Sequence, residues 1–238
     1  MLHPSTVATP PISEERETAM IRKFATPAAM SIVVALAACG SAKDANNGNF
    51  EKALNAHFAR ECIPVQPFVM AENNRQYPLV VALQPKPTIA SLEVGVEQNN
   101  ASATRPLDVL VHAGLLSVSD GTAKKRGWLG GEYTAPTKTY SLTDAGKKAL
   151  VSPDELTMCA GHYKVDEVAR FSEPSNALGH TISEVSFTFS PVDVPAWAKD
   201  DNVRKVYGLN ARMADHAKGT RTLVLASDGW TDSADFSK

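Results

Sequence analysis

Hydrophobic residues follow three distinct patterns along this chain. Phe50, Leu54 and Phe58 recur every four positions, and Ala53 and His57 fall three residues after Phe50 and Leu54. This spacing gathers five side chains on one helical face and predicts an amphipathic helix, with Asn49 as N-cap, ending before Pro64. Prolines 64, 67, 78, 85 and 87 then break the chain into an irregular stretch with a short strand at residues 79–83. Pro106 to Ala113 reads as a helix with Leu107, Leu110 and Val111 on one face and Gly114 as its stop. A strand begins at Leu115–Val118, Asp120-Gly121 is a turn signal, and a loop holds Lys124, Lys125, Arg126, Trp128 and Gly130-Gly131. Tyr133 to Leu142 returns as a strand, and Thr143 caps a short helix through Leu150.

After Thr157 the period changes to two. Val185, Phe187 and Phe189 alternate with Glu184, Ser186 and Thr188, the mark of a half-buried strand, and Val165–Phe171 is its expected partner across the turn at 172–179. Val203, Val206 and Tyr207 fit a short helix, and Thr220–Ala226 is a further strand closed by Asp228-Gly229-Trp230. The fold class that follows is α+β: a helical and wing-like unit at 50–152, then an antiparallel β-rich unit at 153–238.

The third pattern is an uncharged, mostly apolar run. From Met20 the chain reads MIRKFATPAAMSIVVALAACGS: Arg22 and Lys23 form a positive start, Phe24–Ala38 carries no charge, and Ala37 and Ala38 lead into Cys39. Positive, apolar, small is the layout of a secretory signal, here residues 20–38. A run of about 15 residues is too short for a permanent span, which needs roughly 20. Leu36-Ala37-Ala38-Cys39 resembles the lipobox of bacterial lipoproteins. The resemblance implies lipid on the Cys39 thiol, cleavage after Ala38 and acylation of the freed amine, and two or more acyl chains give stable attachment to a membrane. Gram-negative lipoproteins without an aspartate after that cysteine go to the outer membrane, and here Gly40 follows, so the same resemblance implies a periplasm-facing outer-membrane location. Residues 1–19 place Glu14, Glu15 and Glu17 and three prolines ahead of this signal; they read as an upstream extension with initiation at Met20, the alternative being an extended start that the export machinery tolerates. Residues 39–49, small and polar, read as a lipidated flexible tether.

Two segments of the body carry further resemblances. The run from "AGLL" to "YSLTDAGKKAL" resembles the end of a winged-helix domain, whose wing would hold Lys124, Lys125 and Arg126. The "VPAWAKD…DGW" pattern resembles uncharacterised envelope lipoproteins, which bring no activity to transfer. Charge argues against nucleic acid as a partner. The chain holds 24 basic and 26 acidic residues; residues 1–38 contain three of each, so the mature body keeps a net −2. The prolines also break the periodicity that a recognition helix upstream of the wing requires.

Besides Cys39 there are two cysteines, Cys62 and Cys159. An even pair in an exported chain reads most simply as a disulfide, closing a loop of about 100 residues worth roughly 4.7 kcal/mol in the chain-entropy model. Cys159-Ala-Gly-His162 has a spacing that two metal ligands can use, but His57, His112, His180 and His216 form no second spaced pair, so the sequence gives no metal site and no cofactor. Nucleophile-elbow, zinc-protease, P-loop and dinucleotide-binding motifs are absent. The functional expectation is a membrane-anchored, non-enzymatic module that binds an envelope protein or a small ligand. The alternative is a cell-envelope hydrolase, or an inhibitor of one, and no catalytic residue is named for it.

Overall fold

A computed structural model describes residues 41–69, 71, 76–127, 130–177 and 179–236. Helix α1 (Asn47–Phe58) buries all five residues of the predicted face: Phe50, Ala53, Leu54, His57 and Phe58. Its N-cap is Asn46 rather than Asn49. Asn46 has extended backbone and accepts from the Asn49 N–H, while the Asn49 amide turns outward to donate to the carbonyls of Ser41 and Asp44. Strand β1 (Pro64–Val65) follows, and β2 (Leu79–Ala82) lies where a strand is predicted at 79–83.

After a 3-10 turn at Ala90–Leu92, helix α2 spans Glu93–His112 and therefore starts well before Pro106. Pro106 removes a single helical hydrogen bond, and both flanks of the helix are held. Upstream, the Asn100 side chain donates to and accepts from the Gln84 backbone. Downstream, Leu107 and Leu110 are fully buried, and the Tyr207 hydroxyl donates to the Pro106 carbonyl at 2.6 Å. Gly114 ends the helix at φ +76°, as its position predicts.

The ribbon beyond is longer than the sequence suggests. Strands β3 (Leu116–Arg126) and β4 (Glu132–Leu142) pair along their whole length, and β2 adds to the far edge of β4. Asp120-Gly121 is thus inside β3, not a turn, because Lys138 and Thr137 of β4 continue to face it in register. Lys124, Lys125 and Arg126 end that strand rather than lying in a loop, and Gly130, between the two strands, has φ +92°. Thr143 caps α3 (Asp144–Ala149) by accepting from the Gly146 N–H. Gly146 packs so closely on the backbone of Leu115 that a Cβ there would overlap the Leu115 carbonyl.

The rest of the chain builds an antiparallel sheet. β5 (Met158–Cys159) pairs with β1, and β6 (His162–Phe171), β7 (Ser175–Ala177) and β8 (His180–Val192) follow. After a 3-10 turn at Ala196–Lys199 come α4 (Asp201–Val206) and α5 (Leu209–Arg212), then β9 (Ala217–Leu225) and β10 (Trp230–Asp232). The strand order is β10-β9-β8-β6, with β7 also on β8, and every pairing is antiparallel. The α+β class and its antiparallel strands match the sequence pattern. In β6, Val165 and Val168 both point inward although three residues apart, because a register shift between Val165 and Glu167 resets the period of two.

Two cores result within one compact unit of described residues. One joins Leu79, Leu107, Leu110, Tyr140 and Met158 to Val203 and Leu209. The other seats Phe50, Leu54 and Phe58 of α1 on Val165, Val168, Val185, Phe187, Leu223 and Trp230. The first helix therefore packs on β6, β8, β9 and β10 rather than on the β3–β4 ribbon nearer in sequence. Of the residues read as a tether, 41–49 are docked: the Trp230 indole donates to the Lys43 carbonyl at 3.1 Å, and Ala42 lies against Gly229. Small polar residues bury little surface, but their backbone carbonyls find donors in Trp230 and Asn49, and that fixes them.

Candidate functional site

Polar side chains converge at several points among the described residues, including Thr104–Asp108–Tyr140 and Asp166–Ser190–His216, and two further clusters meet at α1 and at the cysteine pair. The first is the underside of α1. His57, 1% exposed, sits on the buried face of the helix with a carboxylate at each ring nitrogen. Nδ1 is 2.8 Å from Asp235 Oδ2; Nε2 is 3.1 Å from Glu61 Oε2, within ion-pair range but out of line for a hydrogen bond. The Arg60 guanidinium also donates to Asp235. Burial pushes the Asp235 carboxyl up, but hydrogen bonds from His57 and Arg60, and their charges, outweigh it and hold the group below its ordinary value. Arg221 extends the network toward Glu61 and Asp232 and lies 5.9 Å from the centre of the Phe58 ring.

A histidine oriented by an aspartate is half of a nucleophile-activating arrangement, but here the other nitrogen faces Glu61, and no hydroxyl or thiol takes that place. The cluster ties the start of the body to its end. Beside it lies an open cleft of about 410 Å³, lined among others by Lys52, Arg60, Asp228, Trp230 and Asp235. Its charges are of both signs, and Asp235, already paired, is a poor proton acceptor.

The second place is the meeting of β1, β5 and β6. Cys62 and Cys159 are joined as a disulfide with Cα atoms 5.2 Å apart. Backbone bonds hold the two segments together around it: Ile63 N–H donates to the Gly161 carbonyl and Ala160 N–H to the Ile63 carbonyl, at 2.8 and 2.9 Å. His162 completes the group, with Nδ1 2.9 Å from the Glu61 carbonyl and Nε2 3.8 Å from Cys159 Sγ.

The remaining residues singled out by sequence are scattered. Cys39 and Trp128 lie outside the described residues. Trp230 is in the core under α1 and Trp197 packs at the edge of the other core. His112 is exposed at the end of α2, His180 stacks edge-on to Phe236, and His216 bonds Asp166 on the surface. Sequence reasoning missed Asp235 as the partner of His57. The one signal was a histidine on the inward face of a helix, which needs a polar partner from somewhere. Compared with protein-family models, curated proteins and solved structures, the chain matches none.

Proposed function

We propose that the mature chain is a lipid-anchored protein of the bacterial envelope, attached through Cys39 at the periplasmic face of the outer membrane, and that its body is a binding or accessory module rather than an enzyme. The ordered signal ending in Leu36-Ala37-Ala38-Cys39 carries the reading. The Cys62–Cys159 disulfide supports an oxidising compartment. Among the described residues no helix is long and apolar enough to cross a membrane; the means of attachment that the Leu36–Cys39 motif suggests is lipid.

Binding is favoured over catalysis by an apolar edge. Ile89, Leu92 and Val94, at the 3-10 turn that leads into α2, are 60, 54 and 63% exposed. Exposed apolar side chains this close in sequence are what a partner-binding edge would offer, and among the described residues no converging catalytic groups accompany them. Metabolic labelling with palmitate tests the anchor. The wild-type chain is expected to incorporate label and to be processed to the mature length, and Cys39→Ser to abolish both; unchanged label in the mutant overturns the reading.

A further inference from the structure

The Cys62–Cys159–His162 group is built as more than a covalent clip. The Glu61 carbonyl has no proton to give, so His162 Nδ1 is the donor in their 2.9 Å bond. In the neutral ring this leaves the lone pair on Nε2, the nitrogen that lies 3.8 Å from Cys159 Sγ. A backbone carbonyl that fixes the tautomer in this way is the outer support that metal-ligating histidines use. One ligand atom from each of Cys62, Cys159 and His162 lies within 4.8 Å of the other two. A tetrahedral zinc ion, with sulfur at about 2.3 Å and nitrogen at about 2.0 Å, holds such atoms about 3.5–3.8 Å apart, a side-chain rotation away.

The geometry points to a redox-gated metal site: when the disulfide is reduced, Cys62, Cys159 and His162 bind a zinc-class divalent ion. A dithiol supplies two electrons and two protons to the S–S bond and itself becomes a disulfide, leaving two thiols. The ion then displaces a proton from each thiol and takes both thiolates and the Nε2 lone pair. The backbone bonds between residues 63 and 160–161 do not depend on the disulfide, so they keep the two sulfurs adjacent after it opens. The fourth position faces an open recess of about 380 Å³ bordered by Cys159, His162, Asp193 and Trp197, where water completes the tetrahedron. While the disulfide stands, neither sulfur has a charge to offer and the site is closed to metal. The site can thus be linked by a covalent bond or by an ion, and the redox state selects which.

The test uses the full chain carrying Cys39→Ser, which removes the third thiol. Oxidised and dithiol-reduced samples are titrated with cobalt(II) under argon and then with zinc(II). The reduced protein is expected to bind one equivalent of cobalt with a sulfur-to-metal charge-transfer band that zinc abolishes, and the oxidised protein none. His162→Ala is expected to weaken binding at least tenfold. Zinc is also expected to protect Cys62 and Cys159 from alkylation, a readout that needs no variant at the site. Absence of the band in reduced protein that keeps its circular dichroism overturns the inference. So does unchanged affinity in His162→Ala, or alkylation at the same rate with and without zinc.

Discussion

Nδ1 of His57 lies 2.8 Å from Oδ2 of Asp235, and this contact joins the first helix of the body to the turn after its last strand across 178 residues. It stands at the edge of the core beneath α1, where Phe50 meets the Trp230 ring at 4.9 Å. Loosening it frees both ends of the body together.

Acid is expected to loosen it. Asp235 is held below its ordinary value in the folded chain, so the unfolded chain binds that proton more readily. The contribution of Asp235 is therefore full above the unfolded carboxylate range and is lost as pH falls through the lower folded value. Asp235→Asn should cost about 1.5–3 kcal/mol at neutral pH, the worth of a hydrogen bond to a charged group, and should flatten the acid side of the stability curve. Urea unfolding at a series of pH values, followed by tryptophan fluorescence, checks both; parallel acid limbs for the two proteins would refute the role given to this carboxylate.

The disulfide spans 97 residues of sequence, so removing it enlarges the freedom of the unfolded chain considerably. Cys62→Ser or Cys159→Ser is expected to lower stability by a few kcal/mol, with about 4.7 as the upper end. The double substitution should cost little more than either single one, because both remove the same bond. Denaturant titration of the three variants checks this, and additive losses would count against it.

Gly229 is expected to govern the docking of residues 41–44. Its φ is +140°, and a Cβ there would lie 3.1 Å from the Ala42 carbonyl. Gly229→Ala should push that segment off, expose the bond after Lys43 to trypsin and leave the sheets intact. Trp230→Phe, which keeps the ring but removes the donor to Lys43, should undock it more mildly, at about 1 kcal/mol. Cleavage after Lys43 at the wild-type rate in both variants would be the contrary result.

Elements with local periodicity were legible in advance. The face of α1, the Gly114 stop, the Thr143 cap and the Val185–Phe189 alternation each follow from spacing over a few residues. Where the outcome depends on a distant partner, the pattern misleads. Asp120-Gly121 carries a turn signal, yet a strand of eleven residues opposite keeps it extended. Residues 41–49 look like a tether until Trp230, nearly two hundred residues on, supplies a donor. The cysteine pair could be expected from parity alone, but the neighbourhood that makes it a candidate metal site depends on the Glu61 carbonyl, which no motif records.

The placement of α1 also bears on the order in which the chain is made. Its apolar face has no floor until residues 162–171 and 230–232 exist, so the first helix of the described residues is among the last to settle. Contacts so far apart in sequence close slowly, because chain entropy is lost before they form. For all that time Phe50, Leu54 and Phe58 stand uncovered at the front of an unfinished chain. Chaperones and proteases that read exposed apolar surface therefore have a long window in which to meet a helix face that the finished body buries.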